Sequence, residues 1–172
     1  SRIHEERLVA LLILVWRYSS ALSSREEKEE IVKFYLDNIK QVNNWDLVDL
    51  SAPNILGAHL IDRDRRLLYR LARSENVWER RIAILATYHF IRNGDFSDTL
   101  KIAEMLLQDR HDLVHKAAGW MLREVGKRDV ASEEAFLEKH RSVMPRTMLR
   151  YAIERLPESK RRRYKKNPID RP

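Results

Sequence analysis

Trp78-Glu79-Arg80-Arg81-Ile82-Ala83 is the beginning of a long apolar helical pattern, and two later segments can be aligned with it. These segments are Leu113-Val114-His115-Lys116-Ala117-Ala118 and Val143-Met144-Pro145-Arg146-Thr147-Met148-Leu149-Arg150-Tyr151-Ala152. Their offset is about thirty-odd residues, which is typical of repeats that contain two helices each. The alignment predicts helix pairs that are joined by short loops and stacked along the chain.

The rest of the chain extends this helical pattern in both directions. No stretch alternates apolar and polar residues for long, so we expect essentially no sheet. The 4 glycines and 5 prolines leave room for long helices. Ser23 or Ser24 and Ser132 are expected N-caps, and Pro53 is expected to interrupt a helix. The predicted helices cover roughly residues 2–19, 25–39, 45–51, 55–61, 67–71, 77–91, 98–107, 113–125, 133–140 and 145–156.

We therefore predict an all-α fold of HEAT-like repeats, stacked into a solenoid whose concave groove is lined by one helix from each pair. An irregular helical bundle is the alternative, because the similarity between the segments is weak. Residues 1–157 form the single predicted domain, and residues 158–172 form a basic C-terminal tail. Residues Lys160 to Lys166 contain nothing apolar enough to bury, which indicates a solvated, mobile terminus. The alternative for this tail is a nonspecific phosphate contact.

Composition indicates an ordinary globular protein with a basic balance. The 172 residues include 33 Lys and Arg against 26 Asp and Glu, a formal charge of +7 that favours a polyanionic partner. Cysteine is absent, which excludes disulfides and thiol chemistry and is consistent with a reducing compartment. The apolar run from Leu8 to Trp16 is too short to span a bilayer and predicts a buried helix. We expect no membrane association.

Asn43-Asn44-Trp45-Asp46-Leu47-Val48-Asp49 places an aromatic ring and two acids within a short helix. Trp45 and Asp49 are four residues apart and share one helix face. A large π surface beside a carboxylate suits a cationic ligand. The alternative is a core tryptophan beside a surface acid. Asp46 is the competing acid, but it is one position away from the Trp45 face, so we expect it to cap the helix or to face solvent.

Two further positions stand out on the repeated helices. Small residues precede Trp120 in Lys116-Ala117-Ala118-Gly119-Trp120 and are expected to leave space around the ring. The alternative is that Trp120 packs in the core at a helix crossing. Arg80 and Arg81 are adjacent, and we expect that both guanidiniums cannot lie on the core side, so one of them faces solvent or a polyanion.

At these positions the chain resembles the AlkD-type DNA alkylation repair glycosylases. The resemblance rests on Asn44-Trp45-Asp46-Leu47-Val48-Asp49, on Trp78-Glu79-Arg80-Arg81-Ile82-Ala83-Ile84-Leu85, and on His115-Lys116-Ala117-Ala118-Gly119-Trp120-Met121-Leu122-Arg123-Glu124. It covers roughly residues 2–155 in matching order, and three separated motifs are more specific than one. The chain departs from the family in beginning within the usual N-terminal portion and in its tail. Because it starts at Ser1 without methionine, we expect a segment to precede it.

The resemblance implies a HEAT-like solenoid that binds duplex DNA and excises positively charged N3- or N7-alkylated purines. It implies that Trp45, Asp49 and Trp120 are the active-site aromatics and acid, and that Arg81 is the groove arginine. Such a base is already a good leaving group, so a carboxylate that stabilises the developing oxocarbenium ion is sufficient. The expected DNA-binding residues are Arg81, Arg80, Lys116, Arg123, His115, Arg146 and Arg150.

The remaining expectations concern ligands, partners and a competing function. We expect no cofactor and no metal, since His111 and His115 are four apart but lack an evident third ligand. The expected partner is double-stranded DNA that contains alkylated bases. We expect the protein to be a monomer and to be located in a bacterial-type cytoplasm, in association with the nucleoid. The alternative function is a non-catalytic helical-repeat module that binds DNA or a protein.

Overall fold

The computed structural model describes residues 1–165, and every regular element within them is helical. The α-helices are α1 (His4–Ser19), α2 (Arg25–Asp37), α3 (Trp45–Ser51), α4 (Ala58–Leu60), α5 (Arg66–Leu71), α6 (Val77–Arg92), α7 (Ser97–Met105), α8 (Asp112–Gly126), α9 (Val130–His140), α10 (Arg146–Ala152) and α11 (Glu158–Lys165). A π-helical turn, Pro53–Gly57, joins α3 to α4, and short 3-10 turns lie at Ile39–Gln41, Leu106–Gln108 and Ile153–Arg155. The predicted all-α fold is confirmed.

The helices form a repeat structure with one continuous central layer. We define the central layer as α3 with the π-helical turn, then α6, α8 and α10, each of which packs against the next. The other helices flank it, with α5 and α7 against α6, and with α7 and α9 against α8. This alternation confirms the prediction of stacked helix pairs.

Contacts between successive helices of the central layer have a constant sequence offset. Arg81 in α6 bonds Asp49 in α3 and the Leu113 carbonyl in α8, and each partner lies 32 positions away. The Tyr88 and Trp120 rings, which have the same offset, also contact each other. Two contacts with one offset mean that α6 and α8 run parallel in a fixed register. Side chains of different repeats therefore meet at predictable levels along the layer.

Glycines allow the closest approaches in the central layer. A Cβ at Gly57 would overlap the Ala86 carbonyl oxygen of α6, and a Cβ at Gly119 would overlap the Met148 carbonyl oxygen of α10. Hydrogen is the substituent that fits both places. Gly119 thus lets the α10 backbone approach α8 closely, while space around the Trp120 ring stays a prediction.

Several helix ends agree with the predicted signals, and one does not. Ser24 accepts a hydrogen bond from the Glu27 N–H, and Gly94 has φ +80°, which ends α6 as expected. Pro53 interrupts the α-helix as predicted, since α3 ends at Ser51 and a π-helical turn follows, in which the Gly57 N–H bonds the Ala52 carbonyl at 2.9 Å. The cap of α9 is Asp129 rather than Ser132, and it accepts from two backbone N–H groups.

The first helix is less buried than its apolar sequence predicts. Leu11 and Tyr18 are buried in α1, but Val9, Ile13 and Trp16 are exposed. The helix lies at the edge of the repeat stack, where α2, α3 and the π-helical turn contact it. The prediction of a buried helix is therefore wrong for much of its surface. Among the described residues, no helix is long and apolar enough to cross a membrane.

The basic segment after residue 157 is helical and partly buried, contrary to the prediction. Tyr164 is 3% exposed in α11, while Lys160 and Arg163 pair with Glu134 and Glu138 of α9 at 2.6 and 2.7 Å. The expectation that nothing in this segment is buried is wrong, because Tyr164 supplies an apolar ring and two acids of α9 pair with two cations of the helix. Lys166, the last residue of the predicted segment, lies outside the described residues.

Tyr164→Ala is expected to destabilise the protein by about 3 kcal/mol, because it removes a buried ring and leaves a cavity under α11. The change in the free energy of unfolding is measured by urea denaturation followed by circular dichroism. Arg162→Ala is the matched control, since Arg162 is on the same helix but is exposed. Equal stability of the Tyr164 and Arg162 variants would contradict the packing of α11.

Glu133 is a buried acid without a hydrogen-bond partner for Oε1 among the described residues. Its carboxyl packs against Gly126, where a Cβ would overlap Oε2. Burial raises the pKa of Glu133 to about 8, Glu134 adds to the rise, and Lys160 opposes it. The folded protein therefore holds this proton more tightly than the unfolded chain, in which the ordinary value is 4.5.

The sign of this pKa shift predicts that stability falls as pH rises from 4.5 to about 8, the interval between the two pKa values. The contribution of one proton has a slope of at most about 1.4 kcal/mol per pH unit. Glu133→Gln is expected to remove this contribution, as measured by urea unfolding at several pH values. Glu138→Gln, an exposed change on the same helix, should keep the parental slope. An unchanged slope in the Glu133 variant would refute the prediction.

Candidate functional site

Asp49 and Arg81 form a bidentate ion pair between α3 and α6. The Arg81 Nε donates to Asp49 Oδ1 at 2.9 Å, and Nη2 donates to Oδ2 at 2.8 Å. The remaining Nη1 donates to the Leu113 carbonyl at the start of α8. One guanidinium thus joins three helices of the central layer. Two parallel bonds fix the carboxylate plane as well as its position.

Arg81 is 5% exposed, and its guanidinium bonds Asp49 rather than solvent. Arg80 is also held internally. Its Nε donates to Asp109 Oδ2 at 2.5 Å, and its Nη1 donates to the carbonyls of Ser74 and Glu75. The prediction that one of the two guanidiniums faces solvent or a polyanion is therefore wrong. Each arginine has a separate internal acid, which allows both to point away from solvent.

Burial and the arginine partner have opposite effects on the pKa of Asp49. Burial raises the pKa of the Asp49 carboxyl above its ordinary value, and the charge of Asp46 adds to the rise. The hydrogen bonds and positive charge of Arg81 act in the opposite direction. Partial removal from water leaves the carboxylate with less screening than a surface acid has. A cation that develops nearby would be stabilised correspondingly more.

Trp45 lies one helical turn before Asp49 and faces outward. It is the first residue of α3, the residue is 56% exposed, and the Asn44 side chain accepts its backbone N–H at 2.7 Å. This exposure excludes the alternative of a core tryptophan. An exposed indole beside a partly buried carboxylate is an arrangement that core packing does not require.

Asp46 has a separate partner and does not share the Asp49 pair. Its Oδ2 lies 2.7 Å from the His4 Nε2 of α1, and its Oδ1 accepts the Leu47 N–H. The expectation that Asp46 caps the helix or faces solvent did not include its contact with His4. No local pattern could identify this partner, because His4 lies 42 positions away in sequence.

Trp120 occupies the same layer as Asp49 but a different level. Its ring contacts Tyr88 at a centroid distance of 6.2 Å, and its Nε1–H donates to Glu124 Oε1 at 3.2 Å. Trp120 lies about two turns, roughly 10 Å, beyond Leu113 along α8. Among the described residues, no hydrogen bond or ring contact joins Trp120 to Asp49 or Trp45. The structure therefore joins Asp49 to Arg81, with Trp45 one turn before Asp49 on α3, and leaves Trp120 further along the layer.

The other predicted DNA-binding residues differ in whether their side chains are exposed or already bonded to groups of the protein. Arg146 and Arg150 are exposed. Lys116 pairs with Asp112 at 3.0 Å, and Arg123 pairs with Glu154 and lies 3.7 Å from Glu124. The His115 Nε2 lies 2.7 Å from the Asp109 carbonyl oxygen, which occupies one of its two ring nitrogens. DNA contact by this set stays a prediction.

The sequence match covers the whole of this site. The chain matches the family described as "DNA alkylation repair enzyme" over residues 1–156, which include the central layer and every helix from α1 to α10. No curated protein matches the chain. Since the match extends over far more than half of the 172 residues, the chain belongs to the DNA alkylation repair enzyme family.

Proposed function

We propose that this protein is a DNA glycosylase that excises positively charged N3- or N7-alkylated purines from duplex DNA, as the first step of base excision repair. The carrying observation is the Asp49 carboxylate, partly buried and held in one orientation by Arg81, with the exposed Trp45 ring one turn away. Family membership supports a role in DNA alkylation repair. The arrangement of these three side chains supports the finer assignment.

The proposed reaction needs charge stabilisation more than proton donation. The bond between C1′ and the purine nitrogen breaks, and its electron pair neutralises the cationic base as the base leaves. Positive charge develops on the deoxyribose as an oxocarbenium-like ion, and the Asp49 carboxylate stabilises it. Water then adds to C1′ and loses a proton to Asp49 or to solvent, which yields a free alkylpurine and an abasic site.

The aromatic side chains would contact the damaged nucleotide. An indole face attracts a cationic purine by roughly 0.5–2 kcal/mol, depending on how far the contact is desolvated. Trp45 is exposed and therefore accessible to such a base. We propose that Trp120, further along the layer, contacts the bound nucleotide as well. Because Arg81 is occupied, we propose Arg146 and Arg150 as the first phosphate contacts and Arg81 as the residue that orients Asp49.

The proposal includes a monomer that acts on duplex DNA in a bacterial-type cytoplasm. It is tested by incubating the protein with a methylated duplex and measuring released N3-methyladenine and N7-methylguanine by chromatography. The expected result is release of free bases from the methylated duplex and none from undamaged DNA. Absence of release by the folded protein would overturn the glycosylase proposal.

A non-catalytic DNA-binding module is the second candidate. It is favoured by the complete pairing of Asp49 with Arg81, which is also the geometry of a purely structural ion pair. Such a module would bind duplex DNA with a steep dependence of log affinity on log salt and would release no base. Binding measured by fluorescence anisotropy at several salt concentrations, together with the release assay, separates the two candidates.

A further inference from the structure

Glu124 is a buried acid that collects several donors in the last turns of α8. It is 4% exposed, and its Oε1 accepts the Trp120 Nε1–H at 3.2 Å and the Lys127 Nζ at 2.6 Å. Arg123 and Arg128 each lie 3.7 Å from one of its oxygens. Burial of a carboxylate is costly unless it is paired and hydrogen-bonded. Here three cations and one indole share that task.

The hydrogen bond from the Trp120 indole to Glu124 is not needed to stabilise the buried carboxylate. The three cations neutralise Glu124 without help from the indole, and an indole N–H in a partly exposed ring could bond water instead. Trp120 and Glu124 are four positions apart, so they meet on one face of α8. The bond fixes one edge of the indole, and Tyr88 packs against the ring at a tilt of 42°. The ring is therefore held from two sides.

We propose that Glu124 is the positioning residue that sets the orientation of the Trp120 ring toward bound DNA. That Trp120 faces the damaged duplex rests on the proposed function, while the holding of the ring by Glu124 does not. A ring that stacks on a nucleotide must be presented in one orientation, and a freely rotating indole would lose entropy on binding. Glu124 removes that freedom before the DNA arrives.

The direct test is the indole resonance of Trp120 in a ¹H–¹⁵N spectrum, assigned by its loss in Trp120→Phe. We expect this N–H to be protected from exchange with water in the parent protein. Glu124→Leu should move the resonance and remove the protection, whereas Glu124→Gln retains an acceptor oxygen and should preserve both. Lys127→Met is the matched control, since it removes a contact of Glu124 but not the indole bond. An unmoved resonance in Glu124→Leu overturns the proposal.

The functional test measures single-turnover release of alkylpurine by the parent, Glu124→Leu, Trp120→Ala and the double variant, with Lys127→Met and Glu124→Gln as controls. Glu124→Leu should slow release by about tenfold, the rate equivalent of one charge-assisted hydrogen bond. Lys127→Met and Glu124→Gln should stay within about threefold of the parent. If Glu124 acts through the ring, adding Glu124→Leu to Trp120→Ala should cause no further loss. A full further loss in the double variant would overturn the proposal.

The two proposals fail in different ways. A folded parent protein that releases no base removes the glycosylase proposal, and the indole resonance still decides whether Glu124 holds Trp120. An active parent in which Glu124→Leu is as fast as the parent removes the positioning role and leaves the glycosylase proposal intact.

Discussion

Asp49→Asn is expected to slow the single-turnover release of alkylpurine by about 10²- to 10³-fold, the usual effect of removing one preorganised electrostatic contact with the transition state. Asparagine has nearly the same shape as aspartate but carries no charge to oppose the oxocarbenium ion. Its amide still has one oxygen that can accept a bond from Arg81. The variant should therefore separate the charge of Asp49 from its shape.

Asp46→Asn is the matched control for this experiment, because Asp46 lies on the same helix but pairs with His4. It should reduce release by less than about threefold. Each variant is first shown to be folded at the assay temperature by circular dichroism. An Asp49→Asn protein as fast as its parent would remove the assigned role of Asp49, even if the protein is a glycosylase.

The pH dependence supplies an independent check on the same residue. Burial raises the pKa of Asp49, and the carboxylate is the active form, so release should fall as pH drops through this raised pKa. Asp49→Asn should lack that acidic limb, since the amide does not titrate. The same acidic limb in both proteins would assign it to another group.

Arg81→Met is expected to lower the free energy of unfolding by about 3 kcal/mol, because it leaves a partly buried carboxylate without its partner. The Leu113 carbonyl loses its donor at the same time. The loss should be smaller at acid pH, where Asp49 takes up a proton and no longer needs a counter-charge. Urea unfolding at two pH values measures both effects.

The Asp49→Leu, Arg81→Met double variant distinguishes the structural cost of the pair from its role in the reaction. Replacing both charged partners with apolar side chains removes the unpaired charge, so stability should return to within about 1 kcal/mol of the parent. Release of alkylpurine should nevertheless stay as low as in Asp49→Asn. A stable double variant with parental activity would show that the ion pair is structural.

The helices and several of their ends could be predicted from the residues in order. Helical periodicity, the Ser24 cap and the Gly94 end depend on neighbours within a few positions. The placement of Trp45 and Asp49 on one face follows from the same local geometry. The spacing of the repeats could also be predicted from the sequence, because each helix pair buries an apolar face and its apolar pattern therefore recurs along the chain.

The partners of the charged residues could not be predicted in this way. Arg81 meets Asp49 across 32 positions and Arg80 meets Asp109 across 29, so neither guanidinium is free as adjacency suggested. Tyr164 is buried because the acidic face of α9 receives the basic helix α11. A side chain's own neighbours do not specify such contacts, because they depend on how helices from different repeats are aligned.

The chain's own pattern thus establishes a stack of helix pairs and an aromatic ring beside an acid on α3. The packed molecule decides that the acid is held by Arg81, that Trp45 is exposed, and that Trp120 lies at another level with Glu124 at its edge. The physical reason is the distance along the chain over which each interaction acts. Helix formation is governed by residues within one or two turns, whereas the charge and solvation of a carboxylate are governed by whatever the fold brings within a few ångströms.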